Sequence, residues 1–146
     1  MGNFRNPSRD KIDAFLRRIR TIAIVGLSDN TSRPSHGVAR ALQSFGYRIV
    51  PVNPRIPAVL GERAWPNLEA AVAGVASDGG IDLVDVFRLP EFVPAIVSDC
   101  IRLNLHALWL QDGVIDNAAA LRAQAAGLFT VMDRCIYRDR AMLAAD

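Results

Sequence analysis

The segment GLSDNTSRPS, residues 26–35, concentrates groups that contact phosphate, and it follows the apolar run TIAIV as the phosphate turn of a Rossmann fold does. The spacing G-x-G-x-x-G is absent, because Ser28 stands where the second glycine would be. Hydroxyls, the N–H groups of a helix N-terminus and the Arg33 guanidinium all suit an anion, so we predict a phosphate-binding loop. Its candidate binding residues are Gly26, Leu27, Ser28, Asp29, Asn30, Ser32 and Arg33.

The same loop has a simpler interpretation, in which Ser32 or Asn30 caps the following helix and the other residues only turn the chain. A lone glycine turn is a weak motif, but a strand before it and a helix after it favour phosphate binding. On that interpretation Gly26 brings the backbone against a phosphate. Gly26→Val is then expected to abolish binding while keeping the fold.

A second group of candidates follows the run YRIVPVNP, residues 47–54, which predicts strand two. This strand ends in Asn53, Pro54 and Arg55. Proteins that bind NAD place an acid here for the ribose diol, whereas this chain has a guanidinium. Arginine suits a phosphate on the ribose, as in NADP or in the 3′-phosphate of coenzyme A. The alternative is that Arg55 is a solvated loop arginine.

Three more strand ends carry candidates for the same site. Strand three ends in Phe87 and Arg88, and Arg88 adds a second cation at that edge. After strand four, Gln111 offers donor and acceptor atoms, and Gly113 permits close backbone approach. Cys135, after strand five, could be a reactive thiol at a helix start, although such a cysteine is more often a small buried residue.

The sequence offers little catalytic equipment. His36 lies in the helix after the glycine turn, and His106 is predicted at the N-terminal end of strand four, away from the site. The patterns H-E-x-x-H, C-x-x-C and G-x-S-x-G do not occur. No pair of acids, metal cluster or nucleophile–base pair is evident. We therefore expect a binding protein that is not an enzyme and holds no metal.

A parallel sheet is needed to bring these residues together. Apolar runs predict strands at 21–26, 47–54, 82–87, 106–111 and 128–132, and helical patterns lie before, between and after them. This alternation predicts a Rossmann-like α/β fold, a doubly wound five-stranded parallel sheet with helices on both faces. We expect the strand order 3-2-1-4-5, with the ligand beyond the carboxyl ends beside strand one.

Length and composition limit the class of protein. The 146 residues suit a single domain over 1–146, with 51% apolar and 22% charged residues. A net charge of +2 does not suggest nucleic acid or a membrane as partner, and no apolar run is long enough for a membrane span. The polar start MGNFRNPSRDKID predicts no signal peptide. Cys100 and Cys135 are therefore expected to be reduced thiols of a cytoplasmic protein.

An ordered set of motifs then carries a family resemblance: AIVGLSDNTSRPSHGVARAL, GYRIVPVNPR, LGERAWPNLEA, VDVFRLPE, ALWLQDGV and VMDRCI. Together they resemble the small stand-alone CoA-binding domain proteins of bacteria and archaea. These are relatives of the CoA-binding domain of the succinyl-CoA synthetase α-subunit. The resemblance covers about Arg20 to Leu143 and implies a Rossmann-like fold that binds coenzyme A.

The resemblance implies roles for the first two strand ends. It implies that the turn Gly26–Asn30 and Arg33 hold the pyrophosphate. Arg55 corresponds to the basic position that meets the adenosine end and its 3′-phosphate, and Asn53 and Pro54 would shape the adenine pocket.

The resemblance also implies a path for the pantetheine arm, along Phe87–Arg88 and Gln111–Gly113. Cys135 matches a family cysteine of open role, which could form a mixed disulfide with the CoA thiol if Arg134 favours its thiolate, or could be an inert packing residue. One departure is Asp112, where the family more often has an apolar residue. The synthetases also need a phosphorylated histidine on a second domain, so their ligase activity is not carried over.

Three functions remain open from the sequence. The first is non-catalytic binding of coenzyme A or an acyl-CoA. The second is an NADP-dependent oxidoreductase, which is disfavoured because no substrate domain or proton relay is visible. The third is a regulatory protein that senses the nucleotide through a protein partner that the sequence does not identify.

Overall fold

Five short apolar runs form one parallel sheet in the computed structural model, which describes residues 2–143. A small antiparallel hairpin, which the sequence pattern did not predict, follows the second strand of the sheet. The strands in chain order are β1 Thr21–Val25, β2 Arg48–Val52, β3 Ala58–Val59, β4 Glu62–Arg63, β5 Leu83–Val86, β6 Ala107–Leu110 and β7 Phe129–Met132.

The helices begin where the sequence places capping residues. The side chains of Ser8, Asn67 and Asp116 accept hydrogen bonds from backbone N–H groups in the first turns of α1, α3 and α5. The helices are α1 Arg9–Arg18, α2 Pro34–Ser44, α3 Leu68–Val75, α4 Val93–Arg102, α5 Asn117–Ala125 and α6 Ile136–Ala141. Short 3-10 turns at Ala76–Asp78 and Pro90–Phe92 flank α3 and α4. Among the described helices, none combines the length and hydropathy that crossing a membrane requires.

Strand alternation creates a core on each side of the sheet. In β1, Ile22 and Ile24 pack in the core that α1, α2 and α6 cover, whereas Ala23 and Val25 pack in the core under α3, α4 and α5. Because helices cover both faces, the sequences of the strands are continuous apolar runs and do not alternate with polar residues. The predicted fold class is confirmed.

The expected strand order is wrong. The sheet has the order β2-β1-β5-β6-β7, which is 2-1-3-4-5 when its strands are numbered along the chain. The order 3-2-1-4-5 would make β2 an interior strand, but Pro51 has no N–H for a second neighbour. Instead, the Trp65 backbone N–H donates to the Pro51 carbonyl at 2.9 Å, and the Trp65 carbonyl accepts from the Asn53 backbone N–H at 2.9 Å. The outer edge of β2 is thereby occupied, and the fully buried β5 lies between β1 and β6.

Asp82, the residue before β5, joins the beginnings of two strands. Its carboxylate accepts hydrogen bonds from the backbone N–H groups of Arg20, at 2.8 Å, and Thr21, at 2.9 Å. The beginnings of β1 and β5 are therefore fixed beside each other, and so is the register of their carboxyl ends.

Candidate functional site

The strand order opens a crevice at the carboxyl ends of β1 and β5. The chain leaves β1 toward β2 on one side and leaves β5 toward β6 on the other, so this is the switch point at which such sheets bind ligands. A cavity of about 570 Å³ lies there. It is lined by Gly26, Ser28, Arg33, Val52, Asn53, Pro54, Arg55, Phe87, Arg88 and Leu89.

Gly26 is required by the packing of two loops. Its φ is +87°, and its N–H donates to the Val52 carbonyl at 2.9 Å. A Cβ at this position would lie 2.4 Å from the Phe87 carbonyl oxygen and 3.0 Å from Cδ of Arg88. Gly26→Val is therefore expected to cost stability as well as binding, because a side chain here would collide with the backbone that follows β5.

The N-terminus of α2 borders the cavity and has no side-chain cap. Its N-cap residue is Arg33, which makes no capping hydrogen bond, and its first turn contains no acidic residue. Asn30 Oδ1 accepts from the N–H of Ser32 at 2.9 Å and from its hydroxyl at 2.7 Å, so neither residue caps the helix. The expected cap by Ser32 or Asn30 is therefore wrong, and no side chain caps the positive end of the helix dipole, where an anion would be favoured.

Asn53 connects the loops after β1 and β2. Its Nδ2 donates to the Leu27 carbonyl at 2.9 Å, and its Oδ1 accepts from the Arg55 N–H at 2.8 Å. Both ends of the amide are therefore engaged by backbone. Asn53 holds the backbone of Arg55 in place beside the loop after β1.

The charge of the cavity lining has one sign. Arg33, Arg55 and Arg88 contribute guanidinium groups, and the lining contains no carboxylate. Within residues 2–143, no salt bridge engages these three side chains. The Arg88 guanidinium instead lies 4.1 Å from the centroid of the Phe92 ring. Serine hydroxyl, helix N-terminus and unpaired guanidinium groups form a donor set that fits a ligand with several phosphates.

The structure does not bring every candidate to this cavity. Leu27 is fully buried in the core, and Asp29, Asn30 and Ser32 lie in the loop without lining the cavity. Gln111 is buried, and its Oε1 accepts from the Ile136 N–H at 3.1 Å. Their contact with a ligand stays a prediction.

Gly113 and Cys135 follow β6 and β7, further along the same sheet edge. The Gly113 N–H donates to Asp133 Oδ1 at 2.8 Å, and Cys135 borders a separate depression of about 280 Å³. The Arg134 guanidinium is bound by the Asp139 carboxylate, at 2.7 Å from Nε to Oδ2, and not by the thiol. Both cysteines are free, and burial raises the pKa of Cys100 to about 12. A role of Gly113 or Cys135 in binding stays a prediction.

Sequence reasoning missed Val52 and Leu89 as lining residues. Val52 is the last residue of β2, and Leu89 follows the predicted pair Phe87–Arg88. Extending each strand end by one residue in either direction would have found both.

Asp85 in β5 is an unexpected feature near the site. Its side chain is fully buried, and no hydrogen bond of normal geometry reaches either carboxylate oxygen. On the neighbouring strands it is paired with Ile24 and Trp109. Burial raises the pKa of this carboxyl well above its ordinary value, against a smaller opposing effect of the Val86 backbone. Asp85 does not line the cavity, and a buried carboxyl without a partner is expected to cost stability when it is charged.

These features define a class of protein: a Rossmann-like domain with a crevice lined by arginines at its switch point. The sequence profile of a family described as "CoA binding domain" matches residues 20–140. The chain therefore belongs to the CoA-binding domain family.

Relatives match over nearly the whole chain. "Uncharacterized protein YneT" of Bacillus subtilis (strain 168) is 38% identical over 132 residues, which make up 90% of this chain and 93% of that protein. A hypothetical protein from Pyrococcus horikoshii OT3 has a TM-score of 0.84 and 29% identity, covering 98% of this chain and 99% of the other. The dinucleotide forming acetyl-coenzyme A synthetase 1 of Ca. Korarchaeum cryptofilum shares the fold at a TM-score of 0.60 and 19% identity, over 75% of this chain and 25% of its own.

Proposed function

We propose that this protein binds coenzyme A or an acyl-CoA in the crevice between β1 and β5, and that it does so without catalysis. Membership of the CoA-binding domain family supports CoA-related binding in general. The observation that carries the finer proposal is the cavity lining, in which three arginines occur with no carboxylate. A ligand with a pyrophosphate and a separate ribose phosphate matches this charge.

Each strand end takes one part of the ligand in this proposal. The loop after β1, with Ser28, Arg33 and the N-terminus of α2, holds the pyrophosphate. Arg55 meets the 3′-phosphate, and Asn53 with Pro54 borders the adenine. The position of Arg55 supports this assignment, because the Arg55 backbone is fixed by Asn53 to the loop that would hold the pyrophosphate.

The chemistry of the lining supports binding over catalysis. Ser28 is the one hydroxyl side chain among the described lining residues, and no histidine, acid, lysine or cysteine accompanies it there. A serine nucleophile needs a general base within hydrogen-bond reach. In this proposal the chain sequesters or presents its ligand, and any reaction on the ligand takes place on another protein.

An NADP-binding protein is the strongest rival, because Arg55 would also suit a phosphate on the 2′ position of a ribose. A ligand panel separates the two. Thermal unfolding is measured with coenzyme A, dephospho-CoA, NADP, NAD and ATP in turn. Coenzyme A is expected to stabilise the protein most, by about 2.7 kcal/mol at a hundredfold excess over Kd. Stabilisation by NADP without stabilisation by coenzyme A would overturn the proposal.

A further inference from the structure

Large apolar side chains are exposed beside the cavity. The exposed large hydrophobic residues of the described chain are Leu89, Phe92, Ile115, Tyr137 and Met142. Leu89 and Phe92 follow β5, and Ile115 follows the adjacent strand β6. Leu89 is 63% exposed and also lines the cavity, so apolar surface continues from the cavity to solvent.

Two contacts hold Phe92 at this position. Its N–H donates to the Leu89 carbonyl at 3.0 Å within the turn Pro90–Phe92. The Arg88 guanidinium stacks on the Phe92 ring, which is still 40% exposed. Arg88 in turn lies against Gly26, because its Cδ would be 3.0 Å from a Cβ there. An apolar surface therefore lies directly beyond the cationic rim of the cavity.

We propose that Leu89 and Phe92 form an acyl subsite, and that the ligand class is thioesters of coenzyme A with apolar acyl chains of several carbons. This inference rests on the proposed function. With the nucleotide phosphates at β1 and β2, the thiol end of the ligand leaves the cavity on the β5 side. A free thiol leaves Leu89 and Phe92 in water, whereas an acyl chain covers them and removes apolar surface of both partners from water.

Titration calorimetry with coenzyme A, acetyl-CoA and octanoyl-CoA tests the subsite. A fully buried methylene strengthens binding about fourfold, so an octanoyl chain with about half of its apolar carbons covered is expected to bind on the order of a hundredfold more tightly than coenzyme A. Leu89→Ser and Phe92→Ser are each expected to reduce this ratio toward one. Met142→Ser is the matched control, because Met142 is 62% exposed but lies away from the cavity, and its ratio should equal that of the wild type.

Circular dichroism and thermal unfolding of each variant establish that it folds. Equal affinity of the wild type for coenzyme A and octanoyl-CoA would overturn the acyl subsite and leave the proposed function standing. If Phe92→Ser weakens both ligands by the same factor, the ring acts only by holding Arg88, which also overturns it. A dimer that Phe92→Ser dissociates, with equal ligand affinities, would assign the surface to a second copy. Failure of the wild type to bind any CoA species would instead refute the proposed function itself.

Discussion

At the scale of single residues, the site depends on Asn53 as much as on its charged neighbours. The sequence identifies Asn53 and Arg55 as candidates but gives them separate tasks. The structure joins them, because the Asn53 amide bonds the Leu27 carbonyl on one side and the Arg55 N–H on the other. Asn53 is thus a positioning residue for the guanidinium that we assign to the terminal phosphate.

Arg55→Ala tests that assignment. If the guanidinium forms a hydrogen bond to the 3′-phosphate, the substitution should weaken the binding of coenzyme A by about 1.5–3 kcal/mol, the range for a hydrogen bond to a charged group. The binding of dephospho-CoA, which lacks this phosphate, should be weakened much less. Calorimetric titration of both ligands measures the difference. Arg40→Ala is the control, since it removes a charge of the same sign from α2 outside the cavity lining. Equal losses for the two ligands would show that Arg55 does not contact the 3′-phosphate.

Asp85 gives a second prediction at this scale. Burial raises its pKa well above the ordinary 3.8, so the folded form holds its proton over a range of pH in which the unfolded chain has already released it. Stability is therefore lost as pH rises above the unfolded value, by about 1.4 kcal/mol per pH unit while the folded carboxyl stays protonated. Asp85→Val should remove this loss and raise the free energy of unfolding more at pH 7 than at pH 4.

Urea denaturation of the wild type and of Asp85→Val, each at both pH values, measures the effect. Taking the difference in free energy of unfolding between the wild type and Asp85→Val removes the contributions of the groups that titrate in both proteins. A stability difference that is the same at the two pH values would mean that Asp85 does not carry a raised pKa.

At the scale of the elements, the sequence predicted most helices and strands but not the sheet order. Capping side chains and apolar periodicity are local signals, and in the structure Ser8, Asn67 and Asp116 cap α1, α3 and α5. The order depends on what pairs with the outer edge of β2. Pro51 was a usable signal, because proline lacks the backbone N–H that an interior strand needs for its second neighbour. The backbone pairing of β2 with Trp65 could not be predicted in this way, because it depends on the fold of the hairpin between them.

The junction of β1 and β5 gives a prediction about stability. Gly26→Ala places a Cβ 2.4 Å from the Phe87 carbonyl oxygen, so the two loops must separate. Gly46 is the comparison, because its φ is +103° and an added Cβ would have no atom within 4 Å. Gly46→Ala therefore has the cost of a positive φ without a steric clash. We expect Gly26→Ala to cost at least about 2 kcal/mol, and Gly46→Ala about 1 kcal/mol. Denaturation without ligand measures both, and equal losses would mean that the loops yield freely at Gly26.

The docking of α6 onto α1 depends on one acid. Asp139 is 2% exposed, and its Oδ1 lies 2.8 Å from Arg9 Nη1, while Arg134 bonds the same carboxylate. Burial alone would raise the pKa of Asp139, but the hydrogen bonds from Arg134 and Arg9 outweigh it and lower that pKa. The stability from this cluster is present above the unfolded pKa and is lost as pH falls through the folded one.

Asp139→Asn tests the cluster. We expect it to destabilise the protein by about 3 kcal/mol at pH 7, because two arginines lose their shared charge partner. Denaturation at pH 7 and at pH 3 checks this, because the free energy of unfolding of the wild type should approach that of the variant in acid. Asp10→Asn, in the first turn of the same α1, is the control and should change stability little. An unchanged free energy of unfolding in Asp139→Asn would contradict the role of the cluster.

At the scale of the whole molecule, the fold class and the family followed from the order of motifs along the chain. The candidate site was predicted in outline for the same reason, since all parallel strands end at one edge. What could not be predicted is which strand ends meet. Gln111 and Cys135 follow strands that lie beyond β5, so they are further from the crevice than a list of strand ends suggests. Which strand ends lie next to each other depends on the order of the strands, and that order is decided by the packing of the whole sheet.

Charge distribution over the molecule leads to the last prediction. The net charge of +2 is small, so attraction of an anionic ligand must come from the local group Arg33, Arg55 and Arg88. Salt screens exposed charges, because the Debye length falls from about 10 Å at 0.1 M to about 3 Å at 1 M. The affinity for coenzyme A should therefore fall about tenfold between roughly 0.05 M and 0.5 M KCl.

Titrations of the wild type and of the double substitution Arg33→Ala and Arg55→Ala across this salt range measure that dependence. The double variant should bind more weakly at low salt and lose less affinity as salt is added, because fewer guanidinium groups remain to be screened. The ratio of octanoyl-CoA to coenzyme A affinity should stay constant or increase with salt, since covering Leu89 and Phe92 depends on apolar area and not on charge. An affinity for coenzyme A that is indifferent to salt would mean that the arginines of the crevice do not bind its phosphates.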